Sequence, residues 1–353
     1  MSRFLNSKYK NLEAYTPGEQ PKDMEYIKLN TNESPYPPSK EVIAAVSKSE
    51  VELLKLYPDP EAKKLKVKLA ALHGVSDKNI YLANGSDDIL NFAFMAFCGD
   101  NKEALFPEIS YGFYKVFAEL HGVRYKTLPL ENDFSIDYKR YFDAKGMVVI
   151  ANPNAPTGMM LGLNAIEEVV RNNPDNVVLI DEAYVDFGGE SAYELTKKYE
   201  NLLVVQTFSK SRSMAGARLG FAIASEEIIE DLEKIKYSTN PYNINRLTMV
   251  AGEAAVDSND YYMENCRKIC DNRDYTTKEL EKLGFEVIPS KANFVFAKHP
   301  DIDGQKIYDE LRAKGVLVRH FTNEKICQFN RITIGSREQM EAFIEKITEI
   351  VRG

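Results

Sequence analysis

No stretch of this sequence approaches the roughly 20 consecutive apolar residues that a membrane-spanning helix needs. The opening residues, MSRFLNSKYKNLEAY, lack the apolar centre of a secretory signal. Cysteine is scarce: Cys98, Cys266, Cys270 and Cys327 show no CxxC spacing, which removes the usual zinc and redox patterns. Cys266 and Cys270 stand four apart, a spacing open to a metal ligand pair, but the set reads more simply as free thiols of a reducing compartment. Repeats and low-complexity linkers are missing. Clustered positive charge is missing too: the net charge is -8 with Lys and Arg scattered, so there is no electrostatic footprint for nucleic acid. Nor does a G-x-G-x-x-G turn follow any strand. Gly216 and Gly220 have another spacing and enclose an arginine, which disfavours a nicotinamide oxidoreductase. These absences leave a soluble cytoplasmic protein with neither membrane nor nucleic-acid partners. Its 353 residues suffice for one large domain and a smaller one.

What is present is an alternation. From about residue 60 to 225, short Val/Ile/Leu-rich runs (NIYLA, EALF, MVVIAN, NVVLIDE, LLVVQTF, LGFAIA) are separated by segments of helical periodicity at Lys63–His73, Asp88–Cys98, Tyr111–Leu120, Ala165–Asn172 and Tyr193–Tyr199. Strands apolar on both faces, alternating with helices, predict an α/β fold with a mainly parallel sheet. The last third changes character. Long amphipathic helices over Pro241–Glu281 and Asp303–Lys314, alternating strands FEVIPS, NFVFAK, GVLVRHF and NRITIG, and a closing helix over Arg337–Val351 predict a smaller α+β domain. The expected division is an N-terminal arm over residues 1–38, a large domain over 39–245 and a small one over 246–353.

Open α/β sheets bind ligands at the carboxyl ends of their strands, so the residues after each run carry the argument. NGSDDIL places Gly85, Ser86 and Asp87 at a helix start, either a plain N-cap or an anion cradle suited to phosphate. PEISYGFY places Tyr111 in a loop, as a core aromatic or as a lid on a planar ligand. NPNAPTG is a rigid polar turn. Asp181 follows four apolar residues, where an unpaired charge would cost several kcal/mol, so it is paired locally or has a ligand. Lys210 holds the equivalent place after the next strand; a desolvated lysine there sheds its proton and becomes a nucleophile toward carbonyls. Singly these are weak. Together they are the parts that hold pyridoxal 5'-phosphate: lysine for the Schiff base, Asp for the ring nitrogen, an aromatic for the ring face, a helix N-terminus for the phosphate. Arg218, among small residues, can reach the same phosphate.

With these motifs the sequence resembles the fold-type I pyridoxal-phosphate aminotransferases, and among them the histidinol-phosphate aminotransferase family. LNTNESPYPPS, LYPDP, NGSDD, NPNAPTG, DEAYVDF, TFSKSRSMAGARLG, NPYNIN, GVLVRHF and NRITIGS carry the likeness along nearly the whole chain. The resemblance implies that Lys210 forms the Schiff base and moves the α-proton, that Asp181 bonds the ring nitrogen, that Tyr184 reaches the ring hydroxyl and that Tyr111 stacks on the ring. It implies Gly85, Ser86, Asp87, Ser209 and Arg218 around the phosphate, with Tyr57 reaching it from a neighbouring subunit of a homodimer. Arg331 and Arg319 would anchor substrate, with Tyr15 and Asn32 completing the pocket. There is one departure. Many aminotransferases read Asn-Pro-Thr-Gly and use that asparagine on the ring hydroxyl; here the position is Ala155, and Asn154, one earlier, is expected to take the role.

The implied reaction is transamination of L-histidinol phosphate with 2-oxoglutarate, yielding imidazole acetol phosphate and glutamate in histidine biosynthesis. One pocket must then accept both a phosphate and a second carboxylate, which suits two arginines. An aromatic amino-acid aminotransferase or a threonine-phosphate decarboxylase of the same fold is the alternative. A non-catalytic sensor would append a DNA-binding domain, for which the chain has no room.

Overall fold

The computed structural model describes residues 4–99 and 101–353. After a two-residue strand β1 (Ile27–Lys28), the chain builds β2 (Ile80–Ala83), β3 (Glu103–Pro107), β4 (Tyr125–Leu128), β5 (Gly146–Ala151), β6 (Val178–Asp181), β7 (Leu202–Thr207) and β8 (Gly220–Ile223). The last seven form one sheet in the order β2-β8-β7-β6-β5-β3-β4. Neighbours are parallel except around β8, which runs antiparallel to both β7 and β2. The mainly parallel α/β sheet expected from the sequence is therefore present.

Alternation explains why its strands read as unbroken apolar runs. Met147, Val149, Leu179, Leu203 and Val205 enter the core on one face; Val148, Ile150, Val178, Ile180, Leu202 and Val204 enter the core on the other. Helices Ser86–Phe97 and Phe113–His121 cover the first face and Leu163–Arg171 the second, so neither face is left for water. Each run must stay buried along its length, and the first polar residue therefore emerges at the sheet edge.

The rest of the chain adds β9 (Glu286–Ile288), β10 (Phe294–Lys298), β11 (Val316–Leu317), β12 (Arg319–His320) and β13 (Asn330–Thr333). Four of these make an antiparallel sheet, β12-β13-β10-β9, while β11 pairs in parallel with β1. Helices Asn259–Lys282, Gly304–Ala313 and Arg337–Arg352 share a core with it through Ile269, Leu311 and Phe343. The N-terminal segment is stitched to both β11 and β13: Leu29 N–H donates to Leu317 O at 2.8 Å, and Thr333 N–H donates to Leu29 O at 2.9 Å. Helix Arg246–Asp257, by contrast, packs Met249, Ala251 and Ala255 against Leu65 and Leu69 of Lys63–His73. A boundary at residue 246 thus falls just ahead of a helix that belongs to the large-sheet side. The segment Tyr193–Tyr199, read as a helix, is a 3-10 stretch over Ala192–Lys197.

Candidate active site

The carboxyl ends of β2, β3, β5, β6 and β7 meet the amino end of β8 at one edge of the large sheet, because β8 alone is reversed. A cavity of about 440 Å³ lies there, a size suited to a small-molecule ligand. Its walls include Ser86 and Asp87, Tyr111, Ala155, Asp181 and Tyr184, Ser209, Lys210 and Arg218. From the N-terminal arm come Tyr15, Asn32 and Glu33, and from the smaller sheet Arg319 and Arg331. The structure thus gathers nearly every residue singled out from the sequence into one place.

The anion cradle is built from two glycines. Gly85 caps helix Ser86–Phe97 with φ 87°, and no side chain satisfies the first N–H groups. A plain Ser or Asp cap is thereby excluded, and the free donors and helix dipole favour an anion. A Cβ at Gly220 would lie 2.4 Å from the backbone nitrogen of Ser86, so that position has no room for a side chain, while at Gly85 a Cβ would displace the Arg218 guanidinium, 2.6 Å away, and the left-handed backbone itself favours glycine. Arg218 itself adopts φ 55°, a backbone strain of the kind that gathers at functional sites. Its guanidinium donates to Asp87 Oδ2 at 3.0 Å and to Ser209 Oγ at 3.3 Å. Tyr111 donates to Asp87 Oδ1 at 2.8 Å, which fixes the ring at the cavity wall.

Lys210 Nζ donates to Thr31 O at 3.0 Å. Burial, reinforced by the nearby Arg331 charge, brings its pKa down to about 8. Asp181 is buried at the end of β6, and burial raises its pKa to about 6. Tyr114 opposes that rise by donating to Asp181 Oδ2 at 2.7 Å, while Ala183 N–H reaches Oδ1 at 3.3 Å. Tyr114 was not among the residues found from sequence. Its signal was the spacing of three from Tyr111, but its acceptor lies 67 positions away.

Tyr184 has its ring edge-to-face with Phe294 at 5.1 Å and accepts a hydrogen bond from Asn32 Nδ2 at 3.0 Å. Arg319 and Arg331 are directly opposed across β12 and β13, which sets two like charges side by side. Their hydrogen-bond partners are carbonyls, not carboxylates: Thr16 O and Pro17 O for Arg319, Asn30 O at 2.9 Å for Arg331.

One expectation is corrected in place. Asn154 does not face the cavity: its Oδ1 accepts from Ser110 Oγ at 2.8 Å, and its Nδ2 donates to Ile109 O at 2.9 Å and Thr157 Oγ1 at 3.2 Å. The amide stitches two loops together and is fully used; Ala155 stands at the wall instead, packed near Tyr184 and Phe294. Asn32 lines the cavity, but its side chain is likewise spoken for, at both ends, by Tyr184 and Thr333. Tyr57 is 79% exposed, stacked on Tyr242 at 4.6 Å, and lies outside this chain's own cavity.

Comparisons with known proteins agree with this geometry. The family model for aminotransferase class I and II matches residues 24–347. The chain is 50% identical to the histidinol-phosphate aminotransferase of Brachyspira hyodysenteriae, over 100% of both chains. It is similar to the crystal structure of the histidinol-phosphate aminotransferase from Clostridium acetobutylicum, with TM-score 0.85, 26% identity and coverage of 92% of this chain and 99% of that one. The same fold recurs in the histidinol-phosphate aminotransferase of Sinorhizobium meliloti in complex with pyridoxal-5'-phosphate, with TM-score 0.83, 23% identity and coverage of 92% and 90%. A glycine-built anion cradle, a lysine and a carboxylate at adjoining strand ends, and a full-length match at this identity place the chain among the class I and II aminotransferases, in the histidinol-phosphate aminotransferase family.

Proposed function

We propose that the chain transfers the amino group of L-histidinol phosphate to 2-oxoglutarate, using pyridoxal 5'-phosphate held in the cavity at the edge of the large sheet. The observation that carries this reading is the joint placement of Lys210, Asp181 and the uncapped Ser86 helix start around one cavity, with Arg319 and Arg331 in its wall. The residues fit the cofactor. The Gly85 cradle and Arg218 suit a phosphate, and a buried carboxylate at Asp181 suits a protonated ring nitrogen. When bound, pyridoxal phosphate supplies an electron sink for charge developing on the substrate's α-carbon.

The chain's own residues do the rest. Lys210, with its pKa brought down to about 8, gives up its proton far more readily than an exposed lysine and takes the α-proton at Nζ. Asp181, kept ionised in part by the Tyr114 hydrogen bond, holds the proton on the ring nitrogen. Tyr184 donates toward the ring hydroxyl in place of the asparagine that Ala155 lacks. Arg331 and Arg319 bind phosphate or carboxylate oxygens in pairs, which lets one pocket serve both substrates. Tyr57 reaches the phosphate of the partner subunit's site in a homodimer. Residues up to 38 act as an arm over the cavity, with a large cofactor-binding domain and a smaller domain beyond it. Unpaired cysteines fit a cytoplasmic setting.

The test is a substrate panel of histidinol phosphate, phenylalanine and threonine phosphate, with each half-reaction followed by cofactor absorbance. Histidinol phosphate should react with the highest kcat/KM. Preference for phenylalanine, or loss of carbon dioxide from threonine phosphate, would refute the assignment. Lys210→Ala should keep the fold and cofactor binding yet lose the borohydride-sensitive imine absorbance, and turnover should fall by at least about 10⁴-fold given the scale of acid–base and nucleophilic contributions together.

A further inference from the structure

Ala155 removes a hydrogen bond that the reaction's cofactor would otherwise receive, and so shifts weight onto the hydroxyl of Tyr184. What aims that hydroxyl is visible in the structure. The Tyr184 oxygen accepts from Asn32 Nδ2 at 3.0 Å, which leaves its own proton free for an acceptor in the cavity. An O–H that accepts one bond is polarised into a stronger donor of the next.

Asn32 cannot turn away. Its Oδ1 accepts from Thr333 Oγ1 at 2.9 Å, its backbone N–H donates back to the same Oγ1 at 3.0 Å, and its carbonyl accepts from Asn293 Nδ2 at 3.0 Å. Thr333 has one hydroxyl proton and gives it to Oδ1, so the nitrogen end of the amide is the end left for Tyr184. Asn32 and Thr333 are both buried, at 1% and 2% exposure, where a mismatched polar group would be costly. Asn32 also adopts φ 56°, in the left-handed region that asparagine tolerates better than most residues. Packing alone does not call for a strained, reciprocally bonded pair behind a cavity tyrosine. Moreover Thr333 shares β13 with Arg331, two residues earlier, so one strand presents an arginine to the cavity and holds Asn32 as well.

We propose that Thr333 and Asn32 form a positioning relay that aims the Tyr184 O–H into the cavity and compensates for the missing asparagine at Ala155. The relay rests on the reading of this cavity as a pyridoxal phosphate site. A donor held firmly on the cofactor's ring hydroxyl withdraws charge from that oxygen, so the bound cofactor loses its titrating proton at lower pH. Loosening the donor moves that titration upward.

The experiment titrates the visible absorbance of the loaded protein with pH and measures the dissociation constant for pyridoxal phosphate. Thr333→Val should raise the absorbance midpoint by about half a unit, against about one unit for Tyr184→Phe, and weaken cofactor binding roughly threefold, as expected for part of one hydrogen bond. Thr333→Ser should restore both values. Asn32→Gly, which keeps the left-handed backbone and deletes the amide, should reproduce the Val variant even where Thr333→Val folds poorly. Combined with Tyr184→Phe, Thr333→Val should add nothing further, since the two act on one hydroxyl. An unmoved midpoint in both Thr333→Val and Asn32→Gly, or a shift that persists in the Tyr184→Phe background, would overturn the relay alone. A parent protein with no borohydride-sensitive visible absorbance would overturn the site reading, and the relay with it.

Discussion

Burial disfavours the charged form of both Asp181 and Lys210 and so moves their pKa values toward each other. Burial raises the Asp181 pKa from the ordinary 3.8 to about 6, so folding favours the protonated acid. Its contribution to stability is whole below pH 3.8 and is lost as pH rises through about 6. The difference corresponds to at most about 3 kcal/mol. In cofactor-free protein, Asp181→Asn should therefore gain stability relative to the parent as pH climbs from about 4 to 6, and hold a constant lead above that. Thermal denaturation across this range checks it; a gap independent of pH would show that the carboxylate is already solvated or paired. Adding pyridoxal phosphate should close the gap, because a protonated ring nitrogen gives the parent's charge a partner that asparagine cannot match. Lys210 titrates in the opposite sense. Its pKa, lowered to about 8, makes the cationic form the costly one, and its share of stability is lost as pH falls through that value.

Among elements, the helix Ser86–Phe97 and strand β8 act as one unit. Gly220 opens β8, and a methyl group there would sit 2.4 Å from Ser86 N, against backbone that has nowhere to yield. Gly220→Ala should push the helix start off the phosphate position, raising the cofactor dissociation constant at least about tenfold, with a stability loss of roughly 1–3 kcal/mol from overpacking. Equilibrium binding of pyridoxal phosphate to the variant decides this, and parental affinity would mean the cradle is not the phosphate site. Much of this unit was legible in the sequence, because strands buried on both faces and a Gly-Ser-Asp helix start leave local marks. Helix Lys63–His73 was placed to the residue, ending on Gly74 in the left-handed conformation. Other features left none. Strand β4 lies at the sheet edge and exposes Lys126 and Thr127, so its run carries little apolar signal. GVLVRHF looked like one strand but divides between two sheets, β11 joining β1 and β12 joining β13. Asn154 and Ala155 show the finer limit: which of two adjacent residues faces a cavity depends on Ser110 and Ile109, partners some 44 positions away. Thr333 gains its place from Asn32, separated by 301 positions, and no reading of either neighbourhood alone would join them.

For the whole molecule, the question is whether one chain makes a complete site. Tyr57 projects from the chain beside exposed Leu54 and Leu56, stacked on Tyr242 and away from its own cavity. Exposed apolar side chains grouped in this way are what an association surface requires. If two copies meet there, each Tyr57 enters the other's phosphate cradle, and the site is shared. Tyr57→Phe should then weaken cofactor binding by roughly tenfold, the worth of one hydrogen bond to a charged group, without separating the subunits. A mixing experiment makes the sharing testable. In a heterodimer of Tyr57→Phe and Lys210→Ala chains, one site combines the intact Lys210 of the first with the intact Tyr57 of the second, while the other site carries both lesions. Unfolding and refolding the two variants together should therefore recover sites of parental affinity and turnover, about one for every heterodimer formed, although neither variant alone has any. Simple addition of the two defective activities would mean that each chain completes its own site, and Tyr57 would then have no part in it.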